Sequence, residues 1–213
     1  GIFYSNRFQS VQKHPLDFRR CSSNLFPEGG GVIYHYTQDY TNGIVSGSGL
    51  HIVSQVVDEF TRNYPNRSLA IISPFNDTVK QLQKTFLTES SLDDFTIETI
   101  DRIQGMTVDY AILYIPGRNP GFALDERRFN VATSRSRSTT LIISDIPLTN
   151  LHSISPRVAA FIKKCKSLDN KNVHVCNDNS DVLEAMKRNE AKSLYPGLES
   201  IVDLLLDNGI PFS

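Results

Sequence analysis

Six short apolar runs, rich in isoleucine, valine and tyrosine, recur along the chain and constrain its fold more than any other feature. They are GVIYHYT (31–37), LAIISP (69–74), FTIETI (95–100), YAILYIP (110–116), TTLIISD (139–145) and NVHVC (172–176). Each run has the length of a strand, and runs this apolar are typical of strands that are buried on both faces of a sheet. The runs therefore predict a largely buried parallel sheet.

Segments with helical periodicity separate several of these runs. The clearest are LHIVSQVVDEFTRNY (50–64), NDTVKQLQKTFLTE (76–89) and LDERRFNVATSRS (124–136). Asp125 is predicted to cap the third segment, because its carboxylate can accept from the first backbone amides of a helix. Strands that alternate with helices pair in parallel through right-handed crossovers, so we predict a doubly wound α/β sheet.

This alternation is confined to the middle of the chain. Residues 1–30 have no clear periodicity and are predicted to form an arm over the sheet, whereas residues 31–147 carry the α/β pattern. From 148 onward the pattern changes, and helices are predicted at 155–170, 181–194 and 198–209. A segment of this size is near the lower limit for an independent domain, so we expect 148–213 to pack on the main sheet as a C-terminal extension.

Charge and metal-ligand spacing limit the classes of function. The 22 Lys and Arg residues against 23 Asp and Glu give a net charge of -1, so any site for a polyanion must be local. The three cysteines form no CxxC pair and the five histidines form no HxH or HxxxH motif. We predict reduced thiols and no metal site built by this chain alone.

The sequence also carries no marks of a membrane or secreted protein. No run reaches eighteen apolar residues, and the segment GIFYSNRFQS lacks the layout of a signal peptide. We expect a soluble, cytoplasmic protein with no membrane partner. Because the sequence starts at Gly1 and not at Met, we also expect it to be a piece of a longer parent.

A polar turn, DRIQGMT (101–107), follows the third apolar run. Ligands of open α/β sheets bind at the carboxyl ends of strands, which would place Asp101, Arg102, Gln104 and Thr107 near a ligand. Gly105 would permit a positive φ or a close approach of the backbone to that ligand. An ordinary surface turn explains the same spacing, and on spacing alone it is the simpler interpretation.

Four arginines in RRFNVATSRSRS (127–138) lie directly before the fifth apolar run. Arg128 and Arg135 have a spacing that places them on roughly one face of a helix. Near the end of that helix, Arg135 and Arg137 would stabilise its negative pole, which is a purely structural role. The functional alternative is an arginine finger that neutralises charge on a transferring phosphoryl group. Taken alone, the cluster favours the structural role.

Two further strand-to-helix junctions carry hydroxyl groups or glycines. SPFNDT (73–78) places Ser73 and Pro74 at a strand end, where a hydroxyl and a helix N-terminus would contact a nucleic-acid phosphate. SGSG (46–49) precedes a helix that Ser48 is predicted to cap. No lysine follows it and no Walker A motif occurs in the sequence, so this chain alone cannot assemble a P-loop ATPase.

Taken in order, these stretches resemble the second RecA-like motor domain of superfamily 1 helicases. The resemblance covers about residues 2–147 and is greatest with the branch that contains the nonsense-mediated-decay RNA helicase and related 5′–3′ DNA helicases. Its most specific parts are TIDRIQGMTVDYAILYIP (99–116), similar to motif five, and GFALDERRFNVATSRSRSTTLIISD (121–145), similar to motif six. The QGMT turn is similar to that of exonuclease V and conjugative-relaxase helicases, which favours DNA over RNA.

The resemblance implies a RecA-like parallel sheet flanked by helices, without its own P-loop, in an ATP-driven motor on single-stranded DNA or RNA. In this family ATP and Mg²⁺ lie between two RecA-like domains, and the first domain, expected in the same parent chain, supplies the Walker lysine and the magnesium ligands. The match makes Arg135 the catalytic arginine finger. The residues implied to lie near the nucleotide are Gln104, Gly105, Thr107 and Arg137. Those implied to contact the single strand are Ser73, Pro74, Thr99 and Asp101.

Two other classes of function stay open at this point. One is a RecA-like binding or regulatory module without catalytic activity. The other, ranked lower, is a Rossmann-type enzyme that binds a dinucleotide at the GSG turn. A Walker A loop and an Asp-Glu pair upstream of Gly1 would distinguish the helicase from the non-catalytic module. The Rossmann-type enzyme predicts measurable dinucleotide binding by this chain alone.

Overall fold

A computed structural model describes residues 24–27, 29–39, 43–87 and 94–167 of the chain. The chain divides into two compact units, Gly1–Val173 and His174–Ser213, and every described residue belongs to the first. The predicted strand at 172–176, the predicted helices at 181–194 and 198–209 and most of the predicted arm lie outside the described residues.

Within the described residues, six parallel strands form one sheet in the order β3-β2-β4-β5-β1-β6. The strands are β1 Gly31–Tyr36, β2 Leu69–Ser73, β3 Phe95–Thr99, β4 Val108–Ile115, β5 Ser136–Ser144 and β6 Lys166–Ser167. The two strands β2 and β4 are buried along their whole length, as their largely apolar sequences predict. The parallel α/β sheet predicted from the sequence is thus confirmed.

Helices connect the strands. They are α1 Gly47–Asn63, α2 Asn76–Phe86, α3 Pro120–Ala123, α4 Glu126–Thr133, α5 Leu148–Ile154 and α6 Pro156–Ile162. The three predicted helices in the α/β part correspond to α1, α2 and α4. Asp125 caps α4 as predicted, since its side chain accepts from the backbone N–H of Arg128 at 3.0 Å.

Two apolar clusters cover the two faces of the sheet. Alternate residues of a strand point to opposite faces, so Ile71 and Ile112 belong to one cluster, and their neighbours Ile72 and Leu113 to the other. The first cluster packs under α1 and α2, with Val53 among its fully buried members. The second packs under the 100–107 segment, α4 and α6.

The sheet continues beyond the predicted end of the α/β domain at 147. The last strand, β6, pairs with β1 and comes after α5 and α6, all within the predicted C-terminal extension. Val158 and Ile162 of α6 are buried in the second apolar cluster. The compact unit therefore extends beyond 147. The helix predicted at 155–170 is shorter than expected because α6 ends at Ile162 and β6 follows.

A buried carboxylate attaches α1 to the carboxyl end of the sheet. Asp145 accepts hydrogen bonds from the Tyr114 hydroxyl at 2.7 Å, Thr37 Oγ1 at 2.7 Å and Ser46 Oγ at 2.8 Å. Burial raises the pKa of Asp145 above its usual value, although the three hydroxyl donors oppose that shift. Ser46 also caps α1 by accepting from the Gly49 N–H at 2.9 Å, so the predicted cap at Ser48 is wrong.

Candidate functional site

The predicted site residues lie at the two opposite ends of the strands. We call these the carboxyl edge and the amino edge of the sheet. Ser73 and Thr99 are paired at the carboxyl ends of β2 and β3, whereas Thr107 and Arg135 directly precede the amino ends of β4 and β5. The segment 100–107 leads from one edge to the other. The expectation that Thr107 lies at a carboxyl end is therefore wrong, because a chain that leaves β3 must cross the sheet before it starts the parallel strand β4.

Arg135 lies at the amino edge, between α4 and β5. The helix ends at Thr133 with Ser134 as its C-cap, so Arg135 does not share a helical face with Arg128 as its spacing predicted. Its Nε donates to the carbonyl oxygen of Val131, in the last turn of α4, at 2.8 Å. This contact confirms that Arg135 binds the negative end of the helix.

The guanidinium of Arg135 also contacts the turn that was predicted to approach the nucleotide. Nη1 donates to the carbonyl oxygen of Met106 at 3.2 Å, and Nη2 donates to Ser134 Oγ at 2.9 Å. An arginine has five N–H donors, so within the described part of the chain one N–H on each Nη is left for an incoming acceptor. The Arg135 carbonyl accepts from the Val108 N–H at 2.9 Å, which joins the two segments a second time.

The turn itself presents its polar residues to solvent. Gln104, Gly105 and Thr107 are exposed, whereas Ile103 between them and the sheet is fully buried. The Met106 N–H donates to the Ile103 carbonyl at 3.1 Å, so the buried isoleucine anchors the turn. Gly105 has a φ of +92°, which confirms the positive φ predicted for it.

Arg137 has a different environment from Arg135. It lies in β5 and not at a helix end, so the predicted contact with the helix pole is wrong for this residue. Its Nη1 is 3.3 Å from Asp109 Oδ1, and the other carboxylate oxygen of Asp109 accepts from the Ser68 N–H at 3.1 Å. The structure thus pairs Arg137 with a buried carboxylate, while half of the Arg137 side chain stays exposed.

At the carboxyl edge, most of the side chains predicted to contact a nucleic acid are buried. Ser73 is fully buried, Pro74 is buried and Thr99 is only 7% exposed, so none of the three presents its side chain to an incoming strand. Ser73 Oγ has no hydrogen-bond partner among the described residues. The predicted surface contact is corrected here because β2 is covered on both faces up to its last residue. Asp101 is exposed and forms an ion pair with Arg128 at 3.2 Å.

Four side chains at this edge, of which Phe122 is exposed and the others are half-buried, form an arrangement that the sequence analysis missed. Phe75, Arg118, Phe122 and Arg128 contact one another in series, and we call them the Arg-Phe cluster. The Arg118 guanidinium lies 4.5 Å from the centre of the Phe75 ring, and that of Arg128 lies 4.0 Å from the Phe122 ring. The two rings are 5.3 Å apart. Short sequence windows give no signal for this cluster, because its members come from two separate connections of the sheet, β2 to β3 and β4 to β5.

Each arginine of the cluster is also paired with a carboxylate. Arg118 pairs with Asp77, and Arg128 pairs with Asp101. Partial burial acts to raise the pKa of Asp77, but the hydrogen bond and charge of Arg118 outweigh it and hold this pKa below its usual value. Asp77 therefore stays ionised and fixes Arg118 over the Phe75 ring.

The described ranges contain no metal-binding cluster and no membrane-spanning helix. No three His, Cys, Asp or Glu side chains there come together in a way that could hold a metal ion. No helix in that part of the chain has the length and hydropathy needed to span a bilayer.

Comparisons with known proteins agree with the RecA-like fold. A family model described as an AAA domain matches residues 29–147, which is more than half of the chain. The DNA polymerase alpha-associated DNA helicase A of Saccharomyces cerevisiae is 38% identical over 88 residues, which cover 39% of this chain and 13% of that protein. A probable helicase of Dictyostelium discoideum is 33% identical over 96 residues, covering 40% of this chain and 10% of that protein.

A third relative is the helicase sen1 of Schizosaccharomyces pombe. It is 28% identical over 102 residues, which cover 43% of this chain and 6% of that protein. The matched part of the chain thus spans only 6% to 13% of the length of these relatives. The chain belongs to the AAA domain family and carries the RecA-like, C-terminal motor domain of a superfamily 1 helicase.

Proposed function

We propose that this domain supplies an arginine finger, Arg135, to the ATP-hydrolysing site of a superfamily 1 helicase that moves on single-stranded DNA or RNA. The observation that carries the proposal is the position of its guanidinium. Backbone and hydroxyl oxygens hold it on three sides, beside an exposed turn that contains Gln104, Gly105 and Thr107. A guanidinium held this way needs little reorganisation to neutralise phosphoryl charge, which is how arginine fingers accelerate hydrolysis.

The surroundings of Arg135 fit a phosphate group. The guanidinium keeps one N–H on each Nη, and the neighbouring turn contributes the Thr107 hydroxyl, the Gln104 amide and a glycine whose missing Cβ leaves the backbone open. The second cation, Arg137, is paired with Asp109 and would act on the nucleotide at longer range. When ATP and Mg²⁺ are bound, they supply the transferable phosphoryl group and the charge that neutralises it.

The remaining parts of the ATP site would come from another domain. The sequence has no Walker A motif, so we propose that the first RecA-like domain of the same parent chain binds most of the ATP and the Mg²⁺. This domain on its own would then not hydrolyse ATP. The QGMT turn favours DNA as the substrate of the parent.

A second candidate function follows from the same contacts. The hydrogen bonds of the Arg135 guanidinium to Val131, Ser134 and Met106 stay inside the domain and together connect the end of α4 with the turn. A RecA-like module could bind nucleic acid or regulate a partner without hydrolysing ATP. In such a module, Arg135 would serve only to connect α4 with the turn.

Matched substitutions in the full-length protein distinguish the two functions. Arg135→Ala removes the guanidinium, whereas Ser134→Ala removes one of its supports and leaves the guanidinium in place. A finger predicts that Arg135→Ala abolishes nucleic-acid-stimulated ATP hydrolysis while Ser134→Ala retains it to within about tenfold. If both variants hydrolyse ATP at nearly the wild-type rate, the proposal is wrong and the structural role of Arg135 remains.

A further inference from the structure

We propose that the Arg-Phe cluster is a stacking surface for unpaired bases of the nucleic-acid strand. This inference rests on the proposed helicase function, and it names the side chains with which the domain would contact that strand. They differ from the hydroxyl residues that the motif resemblance implied, because Ser73 and Thr99 are buried.

The cluster lies where the carboxyl ends of three adjacent strands meet. Phe75 comes two residues after β2, Arg118 comes three residues after β4, and Asp101 comes two residues after β3. In the sheet order these strands are neighbours. The carboxyl edge of an open α/β sheet is where ligands bind, so the cluster occupies the exposed part of a general binding position.

Part of the cluster is open to solvent, although Phe75 also packs against the second apolar cluster. Phe122 is 40% exposed, although the two residues that follow it, Ala123 and Leu124, are buried. The side chains of Arg118 and Arg128 are 25% and 29% exposed. Aromatic rings and guanidinium planes are the groups on which proteins stack unpaired bases, and such stacking tolerates any base sequence.

The charges of the cluster favour the same occupant. Each guanidinium is held by a carboxylate that is itself well exposed, since Asp77 is 45% and Asp101 is 67% exposed at the side chain. Exposed ion pairs are weak, and a phosphate can replace the carboxylate partner while the guanidinium keeps its contact with the ring. A single strand matches both the stacking surface, through its accessible bases, and the exposed ion pairs, through its phosphates. A duplex matches only the ion pairs, because its bases are stacked inside.

Phe122 offers the most direct test, because it is exposed and its loss leaves no buried cavity. In the full-length protein, the affinity for oligothymidylate and oligouridylate of about ten nucleotides is measured by fluorescence anisotropy for wild type and Phe122→Ala. We expect Phe122→Ala to weaken both affinities by about 5- to 100-fold and Phe122→Tyr to retain them. A strand of the same length with abasic sites keeps its phosphates, and we expect its affinity to be unchanged by Phe122→Ala.

Leu87→Ala provides the matched control. Leu87 is 45% exposed at the opposite end of α2 from Phe75, so its truncation removes similar exposed apolar surface outside the cluster. We expect this variant to bind both oligonucleotides like the wild type.

The inference is overturned if Phe122→Ala leaves both affinities unchanged, or if it weakens the abasic strand as much as the intact one. Either outcome would make the cluster a candidate contact for a protein segment instead. These outcomes are separate from the ATPase test of Arg135. A protein in which Arg135→Ala abolishes hydrolysis and Phe122→Ala changes nothing would keep the proposed function and lose this inference.

Discussion

The guanidinium of Arg135 donates a hydrogen bond to the carbonyl oxygen of Met106 across a distance of 3.2 Å. This bond joins the end of α4 to the turn before β4, two segments that are far apart in sequence. The same turn begins at Ile100, whose N–H donates to the carbonyl of Ser73 at the carboxyl edge. One continuous segment thus contacts both edges of the sheet, the edge of the candidate nucleotide site and the edge of the Arg-Phe cluster.

The positive φ of Gly105 makes this turn sensitive to substitution. Gly105→Ala is expected to lower the free energy of unfolding by about 1 to 2 kcal/mol, because an L-residue at a φ of +92° is strained. A Cβ there would meet no atom within 4 Å, so the cost comes from the backbone alone. Urea unfolding monitored by circular dichroism measures the difference.

Gly121 serves as the control for that measurement. It lies in α3, a Cβ there also meets no atom within 4 Å, and its φ is not positive. Gly121→Ala should therefore be neutral or raise the free energy of unfolding by up to about 1 kcal/mol. If Gly105→Ala and Gly121→Ala changed the free energy of unfolding equally, the backbone conformation at Gly105 would not be strained for an L-residue.

The contact between α1 and β4 gives a second stability prediction. A Cβ on Gly49 would lie 2.5 Å from the hydroxyl oxygen and from Cε2 of Tyr114. Gly49→Ala should lower the free energy of unfolding by about 1 to 3 kcal/mol, since the fully buried tyrosine has little room to move. At Gly47, in the first turn of the same helix, the nearest atom is 4.0 Å away, and Gly47→Ala should change stability much less. A Gly49→Ala protein as stable as the wild type would contradict the packing described here.

The buried carboxyl of Asp145 predicts a pH dependence of stability. Burial raises its pKa in the folded state, so the folded chain keeps this proton at pH values where the unfolded chain has lost it. The contribution of Asp145 to stability is therefore full below the unfolded pKa and falls as pH rises through the folded pKa. The Asn side chain of Asp145→Asn does not titrate. The difference in stability between wild type and this variant therefore removes the contribution of all other titrating groups.

The corresponding measurement is the free energy of unfolding of wild type and Asp145→Asn at about pH 4 and about pH 7. We expect the stability advantage of the wild type over Asp145→Asn to be larger at the lower pH. An advantage that is independent of pH, or that grows as pH rises, would contradict a raised pKa.

Much of the sheet could be predicted because uniform burial leaves a clear trace in the sequence. The strands β2 and β4 are apolar except at Ser73 and Asp109, and the structure buries every position. The start of β5 differs from the prediction because Ser136 and Arg137 are polar, yet Ser136 pairs with Val108 at the amino ends of the two central strands β5 and β4. The short helix α3 was missed because it is four residues long and follows Asn119, whose positive φ the sequence does not show.

The candidate site was harder to predict than the sheet. A hydroxyl at Ser73 suggests a surface contact, but burial depends on which elements cover the end of β2, and the sequence does not contain that information locally. The contact of Phe75 with Phe122 likewise joins two connections that meet only after the strands have paired. Arg135 could be singled out because motif order identified it, and the structure adds the three oxygens that hold its guanidinium.

The most direct test of the central claim is the turnover number for ATP of the full-length Arg135→Ala protein. It is measured with saturating single-stranded nucleic acid, and the dissociation constant for ATP is measured alongside it. An arginine finger acts mainly in the transition state, so we predict that turnover falls by about 10³-fold or more while the dissociation constant changes by less than about tenfold. Turnover within a few-fold of the wild type, in a variant that folds and binds ATP normally, would contradict the claim.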